Sequence, residues 1–287
     1  MRSDLLPGSA APANSSLATQ AIPLALFAGI AAIAAWVRKV RWPVGRALGA
    51  TMLVGFGLFV MPAVLIQIAG ETIDASTRVA LFSLAPVFAL VLEPHLGSAS
   101  ANQPRGALMA SLLAVTGTLL VFPLDLPRSA AAALAFCEVV AAVASLAAAN
   151  CIAVRIASEQ PARSILSFAT IATGCAAIAL ALMGIIFEHR ASRSLSLHNP
   201  WTALDLLALA LLFWLMRRMT AVRMTTRFLI APFLANLIGL AFLRPGVQAR
   251  GWLGLLLIAV GSGWLLFGPE GEPEEAGSPL HINEPRP

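Results

Sequence analysis

AAAALAFCEVVAAVASLAAANCIA, residues 130–153, runs for twenty-four positions with a single Asp, Glu, Lys or Arg, Glu138. As a helix this run is about 36 Å long, enough to cross a bilayer core of about 30 Å. A barrel strand would alternate apolar and polar positions over ten or so residues, and this run does not alternate. In lipid every backbone N–H and C=O must find its partner within the segment, so the run predicts a transmembrane helix.

Eight further runs of the same kind flank it: 21–37, 47–69, 79–97, 106–124, 164–187, 201–216, 228–243 and 251–267. Those at 201–216 and 228–243 are short, and span if flanking side chains snorkel or the bilayer thins. The expected fold is therefore an all-α, polytopic helical membrane protein with about nine transmembrane helices. Composition agrees. Of 287 residues 59% are hydrophobic and 11% charged, less than half the roughly 25% charge of a soluble domain. Mean hydropathy is +0.83. A water-soluble enzyme, a disordered chain and a disulfide scaffold are all excluded at this step.

The net charge of +5 sits mostly in short segments between the runs, so it predicts topology and not nucleic-acid binding. One set of alternate loops holds Arg38, Lys39, Arg41, Arg46, Arg105, Arg155, Arg163, Arg217, Arg218, Arg223 and Arg227. The other holds Arg78, Arg128, Arg190, Arg193, Arg244 and Arg250. Eleven against six places the first set in the cytoplasm, with the N-terminus outside and the C-terminus inside. Tryptophans at or near run ends (Trp36, Trp42, Trp201, Trp214, Trp252, Trp264) suit the headgroup layer. Residues 1–20 read as a polar tail. The first run is retained, because Trp36-Val37-Arg38-Lys39 follows it and no small-residue cleavage site does. Residues 268–287, with five glutamates among Gly and Pro, read as a disordered acidic tail. Cys137, Cys151 and Cys175 lie in apolar segments without CxxC spacing, which reads as packing and offers no metal or redox site.

The runs also repeat. Arg105-Gly106-Ala107-Leu108, Ala114-Val115-Thr116-Gly117 and Leu120-Val121-Phe122 recur 145 positions later. The later copies are Arg250-Gly251-Trp252-Leu253, Ala259-Val260-Gly261-Ser262 and Leu265-Leu266-Phe267. Upstream, Ala85-Pro86-Val87-Phe88 is echoed by Ala231-Pro232-Phe233. With nine spans, 106–124 and 251–267 cross in opposite directions. Like sequence in opposite orientation predicts two inverted repeats, 21–124 with four spans and 130–267 with five, as in many secondary transporters.

Two repeats, each with an Ala-Pro helix and then a glycine-bearing last helix introduced by Arg-Gly, resemble the EamA-type transporters of the drug/metabolite transporter superfamily. The stretch from Ile68 to Thr77 is also similar to that family's junction between third and fourth helices. The resemblance covers roughly 21–267. It implies export of a small metabolite or drug-like solute, and a ten-helix, five-plus-five plan where this chain reads as four plus five. An acidic residue common after the family's second Pro helix is replaced here by Arg244-Pro245.

Polar residues within spans give the candidate site. Ionisable groups there cost about 2.5–3.5 kcal/mol on insertion scales. Glu138 sits well inside its run and reads as a proton carrier, as a neutral acid bonded to a neighbouring helix, or as a group reaching outer water. Asn236 follows Pro232 by one helical turn, and Gln67 and Asn150 are amides in or near spans. Each is suited either to a substrate or to a helix–helix bond. Glu138, Asn236, Gln67 and Asn150 are thus the expected substrate-binding residues. Asp205 reads as interfacial in a first helical turn, and Glu93 as a solvated helix end. Pro62, Pro86 and Pro232 mark kinks.

No HExxH, GxSxG, Walker loop or paired membrane aspartates occur, so neither an enzyme nor a resident cofactor is expected. The expected function is a secondary transporter in the inner membrane, working by alternating access, with proton coupling at Glu138 as one option. The expected partners are a small-molecule substrate and the bilayer, with a homodimer left open. The other reading is a non-transporting integral membrane component, a truncated or partner-dependent repeat protein.

Overall fold

The computed structural model describes residues 17–96, 106–159, 164–187, 202–243 and 249–269. The described residues are helical, with no strand among them. Seven helices are long and apolar enough to cross a membrane: α1 (Leu17–Val37), α2 (Arg46–Ala69), α3 (Ala75–Leu96), α5 (Ala130–Glu159), α6 (Ile165–Phe187), α8 and α9 (Ala249–Phe267). α8 is a short helix, Ala221–Thr225, that runs on into Arg227–Leu243. Two shorter apolar helices, α4 (Ala107–Val121) and α7 (Thr202–Leu215), complete the described set.

Several boundaries move. α1 begins at Leu17, so 17–20 belong to a helix and not to the polar tail; Leu17 and Ala18 are helix formers that continue the apolar face. α5 extends past 153 to Glu159, where Arg155 and Glu159 pair at 3.0 Å one turn apart. The largest change is at α8, which starts at Ala221 and not at 228. Thr220 caps it, its hydroxyl accepting from the Arg223 N–H at 3.4 Å, and so Arg223 and Arg227 leave the predicted loop for the helix. The tail expected at 1–16, the acidic tail from 270 onward, Trp201, and Arg105, Arg163, Arg190, Arg193 and Arg244 lie outside the described residues.

α5 is the centre of the bundle. Its N-terminus is fixed by Ser129, whose hydroxyl accepts from the Ala132 N–H at 3.1 Å. One stripe of small side chains along it is buried, and α2 and α3 pack on opposite flanks of that stripe. Leu146, Ala149 and Ala153 meet Val54 and Leu58 of α2 and Ala172 of α6. Ala147 and Cys151 meet Ala89 and Leu90 of α3.

Two other pairs run side by side along their length, α1 with α6 and α4 with α9. Both are antiparallel. Gly184 lies against Ala18 and Gly174 against Ala28, while Gly117 lies against Gly254 and Gly261 against Ala110 and Ala114. Large apolar side chains such as Ile33, Leu113, Leu182, Leu207 and Leu256 point outward, a surface stable in lipid.

Prolines shape the connections. Met61 donates its N–H to the Phe56 carbonyl, a widened π turn over Phe56–Val60 directly before Pro62, which has no N–H to continue the ladder. α3 breaks at Ser83-Leu84 before Pro86 for the same reason. Between α2 and α3, Gly70 adopts a φ of +55°, and the Arg78 guanidinium donates to the Gly70 and Ile73 carbonyls at 2.9 and 3.0 Å.

A side chain added at Gly117 or Gly254 would meet opposing backbone oxygen at 2.6 or 2.7 Å. Gly117→Val and Gly254→Val should each lower stability in detergent by about 1–3 kcal/mol, read as a drop in thermal midpoint. Gly263→Ala, on the same helix as Gly254 but with nothing within 4 Å of an added Cβ, should leave the midpoint in place.

Candidate functional site

A cavity of about 560 Å³ opens between α1, α2, α6, α7 and α8. α7 supplies one face of it through Thr202, Asp205, Ala208, Leu209 and Leu212, the i, i+3, i+4 spacing that aligns side chains along a helix. The first turns of α1 supply Thr19, Gln20, Ile22 and Pro23. α2 contributes Phe59, carried by the π turn, and α6 contributes Leu180. A π turn re-aims the side chains around it, and this one sets an aromatic wall into the cavity.

The polar lining is graded. Thr19, Gln20, Thr202 and Asp205 come from the N-terminal turns of α1 and α7, so they gather at one end. Leu209 and Leu212 line the cavity one and two turns deeper along α7. Arg227 enters from α8, which begins beyond the opposite end of α7. Its guanidinium lies over the Phe228 ring, 4.9 Å from the centroid. Among the described residues no carboxylate lies within 4.0 Å of it, so Arg227 and Asp205 share the cavity without pairing.

Arg227 was not predicted. Its neighbours Arg217, Arg218 and Arg223 make the segment read as a basic loop. The signal that locates it is Thr220, a good helix cap standing ahead of Ala221-Val222, which starts the helix about two turns earlier. Asp205, expected at the interface, does lie in the first turn of α7 and is exposed, and it also lines the cavity.

The four predicted site residues do not line this cavity. Glu138 is half-buried near the start of α5, with no hydrogen bond or ion pair among the described residues; its neighbour Val139 packs against Ala69, Ile73 and Leu81. Gln67 is exposed on α2. Asn236 is half-buried and donates its amide to the Pro232 carbonyl at 2.8 Å. Asn150 is fully buried and donates to the Leu146 carbonyl at 2.8 Å, while its Oδ1 has no partner among the described residues. Both asparagines thus bond one turn back along their own helices. Glu93, expected to be a solvated helix end, is instead 3% exposed: α8's first turn packs over that part of α3 and covers it.

No protein-family model matches the chain, and no curated protein matches it. A solved structure described only as "Crystal structure of protein" is similar in fold, with a TM-score of 0.68 at 14% identity over 91% of each chain. At that identity the likeness shows the fold alone.

Thiol reagents that carry charge need water to reach and ionise their target. In a background with Cys137, Cys151 and Cys175 replaced by Ala, Ala208→Cys should react with a charged methanethiosulfonate. Ala210→Cys, exposed on another face of α7, should react at least about tenfold more slowly. Equal rates would show that the cavity is filled by lipid or side chains.

Proposed function

We propose that this protein is a secondary transporter that moves a small metabolite or drug-like solute out of the cell by alternating access. It crosses the inner membrane nine times, with its N-terminus outside, its C-terminus in the cytoplasm and two inverted repeats of four and five helices. The resemblance to EamA-type transporters of the drug/metabolite transporter superfamily agrees with this reading. The observation that carries it is the packing of α4 against α9. Their sequences repeat at an offset of 145, and they run antiparallel with Gly117 on Gly254. Two copies of one helix, opposed and in contact, are what a two-fold axis in the membrane plane requires.

Matched in order from these last helices, α1 corresponds to α6, and those two also pack antiparallel. The direction of α9 supports nine crossings as well. If the other helices cross, α9 opposes α4 only when short α7 also crosses. α7 is about 21 Å long, so the bilayer must thin or its flanks must snorkel. In such a design the cavity between α1, α7 and α8 holds the solute, and rocking of one repeat on the other exposes it to each side in turn. In this reading Glu138 carries the coupling proton; its half-burial within α5 and its lack of a hydrogen-bond partner among the described residues support that role.

Cells over-expressing the chain should accumulate at least one compound in the medium, seen by metabolite profiling against empty cells. Leu212→Trp, which fills the cavity, should abolish that enrichment at equal membrane level. In reconstituted vesicles Glu138→Gln should flatten the dependence of flux on the pH gradient; an unchanged dependence removes Glu138 from the coupling.

One observation favours a second reading, a membrane component completed by a partner. α2 and α3 flank α5, and their counterparts α7 and α8 have no helix in the matching place among the described residues. A partner's helix would fill that place. Purified protein separates the readings. Flux in vesicles containing this chain alone supports the carrier, and flux in cells but not in vesicles supports the partner.

A further inference from the structure

Among the described residues Arg227 is the one cation that lines the cavity, and it does so from within a helix long and apolar enough to span. A cation at such depth is costly unless it is paired or faces water, and residues of this kind mark solute paths. Here the Phe228 ring covers one face of the guanidinium plane at 4.9 Å. Stacking engages that face and leaves the in-plane N–H donors, which have no acceptor among the described residues. Five donors in a rigid fork match a carboxylate in a bidentate pair. The walls around it are apolar, from Phe59, Leu180, Leu209 and Leu212. They suit the carbon body of a small organic acid, and a volume of about 560 Å³ accommodates one with room for water.

We propose that Arg227 anchors the carboxylate of the transported solute, so that the substrate class is a small organic acid with an apolar body. The inference rests on the carrier reading and sharpens it. Asp205 adds a second discrimination. It lines the same cavity at the polar end, two turns of α7 above Leu212, and is not paired with Arg227. A solute that also bears an amine at the far end of its apolar body gains a counter-charge there, whereas a simple carboxylate does not.

Phenylacetate, its neutral isostere phenylacetamide, and 4-(aminomethyl)phenylacetate, whose amine and carboxylate stand at opposite ends of the ring, are the probes, titrated calorimetrically against the purified full chain in detergent. Wild type should bind phenylacetate, and the amide should bind at least about tenfold more weakly, as expected when a buried charge loses its partner. Arg227→Gln should lose phenylacetate binding by a similar factor, with Arg227→Lys intermediate because the charge remains and the fork does not. Asp205→Asn should narrow the advantage of 4-(aminomethyl)phenylacetate over phenylacetate. Equal binding of acid and amide to wild type, no binding of either acid at millimolar concentration, or full binding by Arg227→Gln would overturn the site. The comparison of acid with amide uses wild type only, so it holds even if the Gln variant fails to fold. Flux in vesicles then separates the two claims. Phenylacetate that binds at Arg227 without crossing defeats the carrier and keeps the site, while flux of uncharged solutes alone keeps the carrier and defeats the site.

Discussion

At Gly117 and Gly254 two helix backbones meet with no side chain between them, and each added Cβ would fall on the other's carbonyl oxygen. Everything else in the bundle depends on contacts of this type. Lipid tails are as apolar as leucine, so helices in a bilayer gain nothing by hiding Leu or Ile from lipid. They associate where small residues let many backbone atoms come into van der Waals range. The chain supplies such seams repeatedly: Gly55 on Ala172, Gly57 on Ala149, Gly184 on Ala18 and Gly261 on Ala110 and Ala114. The long alanine stripe of α5 is the same device extended over a whole helix, which is why that helix holds the middle.

Where bulky residues replace small ones the helices stand apart. α7 buries only Leu209 and Phe213, against eleven residues on α5. It is attached through a ring cluster, with Phe213 stacked on Phe27 at 5.7 Å and edge-on to Phe168 at 5.9 Å. Aromatic pairs hold their helices at ring distance, and the space left beside them is the cavity. Tight glycine seams on one side and an aromatic spacer on the other therefore have one origin, the distribution of side-chain volume along the helices.

The fold class was legible because apolar length in a membrane protein is a strong signal, as the run at 130–153 shows. Boundaries were legible where a charge or a turn residue marks them, as at Gly70 and Ser129. They were misread at Ala221, because a basic residue in a helix and one in a loop look alike until packing decides. The candidate site was mostly illegible for a related reason. An amide such as Asn150 or Asn236 can bond one turn back on its own helix or outward to a ligand, and its identity does not say which. Arg227 was hidden in a run of loop-like arginines, while Asp205 was placed in the first turn of its helix without any sign of the cavity beside it.

These features also bear on where motion resides. Stability within a protein follows local packing, so elements with few buried contacts open first. By that measure α5 with α2, α3 and the well-buried first turns of α8 forms the firm body, and α7 the loose one. The cavity lies against the loose side. α7 joins α8 through the short link Met216–Thr220, and Arg218 stacks on Trp214 at 5.5 Å at the end of α7. A shift of α7 about its aromatic cluster would change the distance between Asp205, which rides on α7, and Arg227, which sits on α8. One charge of the cavity thus rides on the element best able to move and the other on a helix held in the firm body, and a solute that bridges them would oppose that movement.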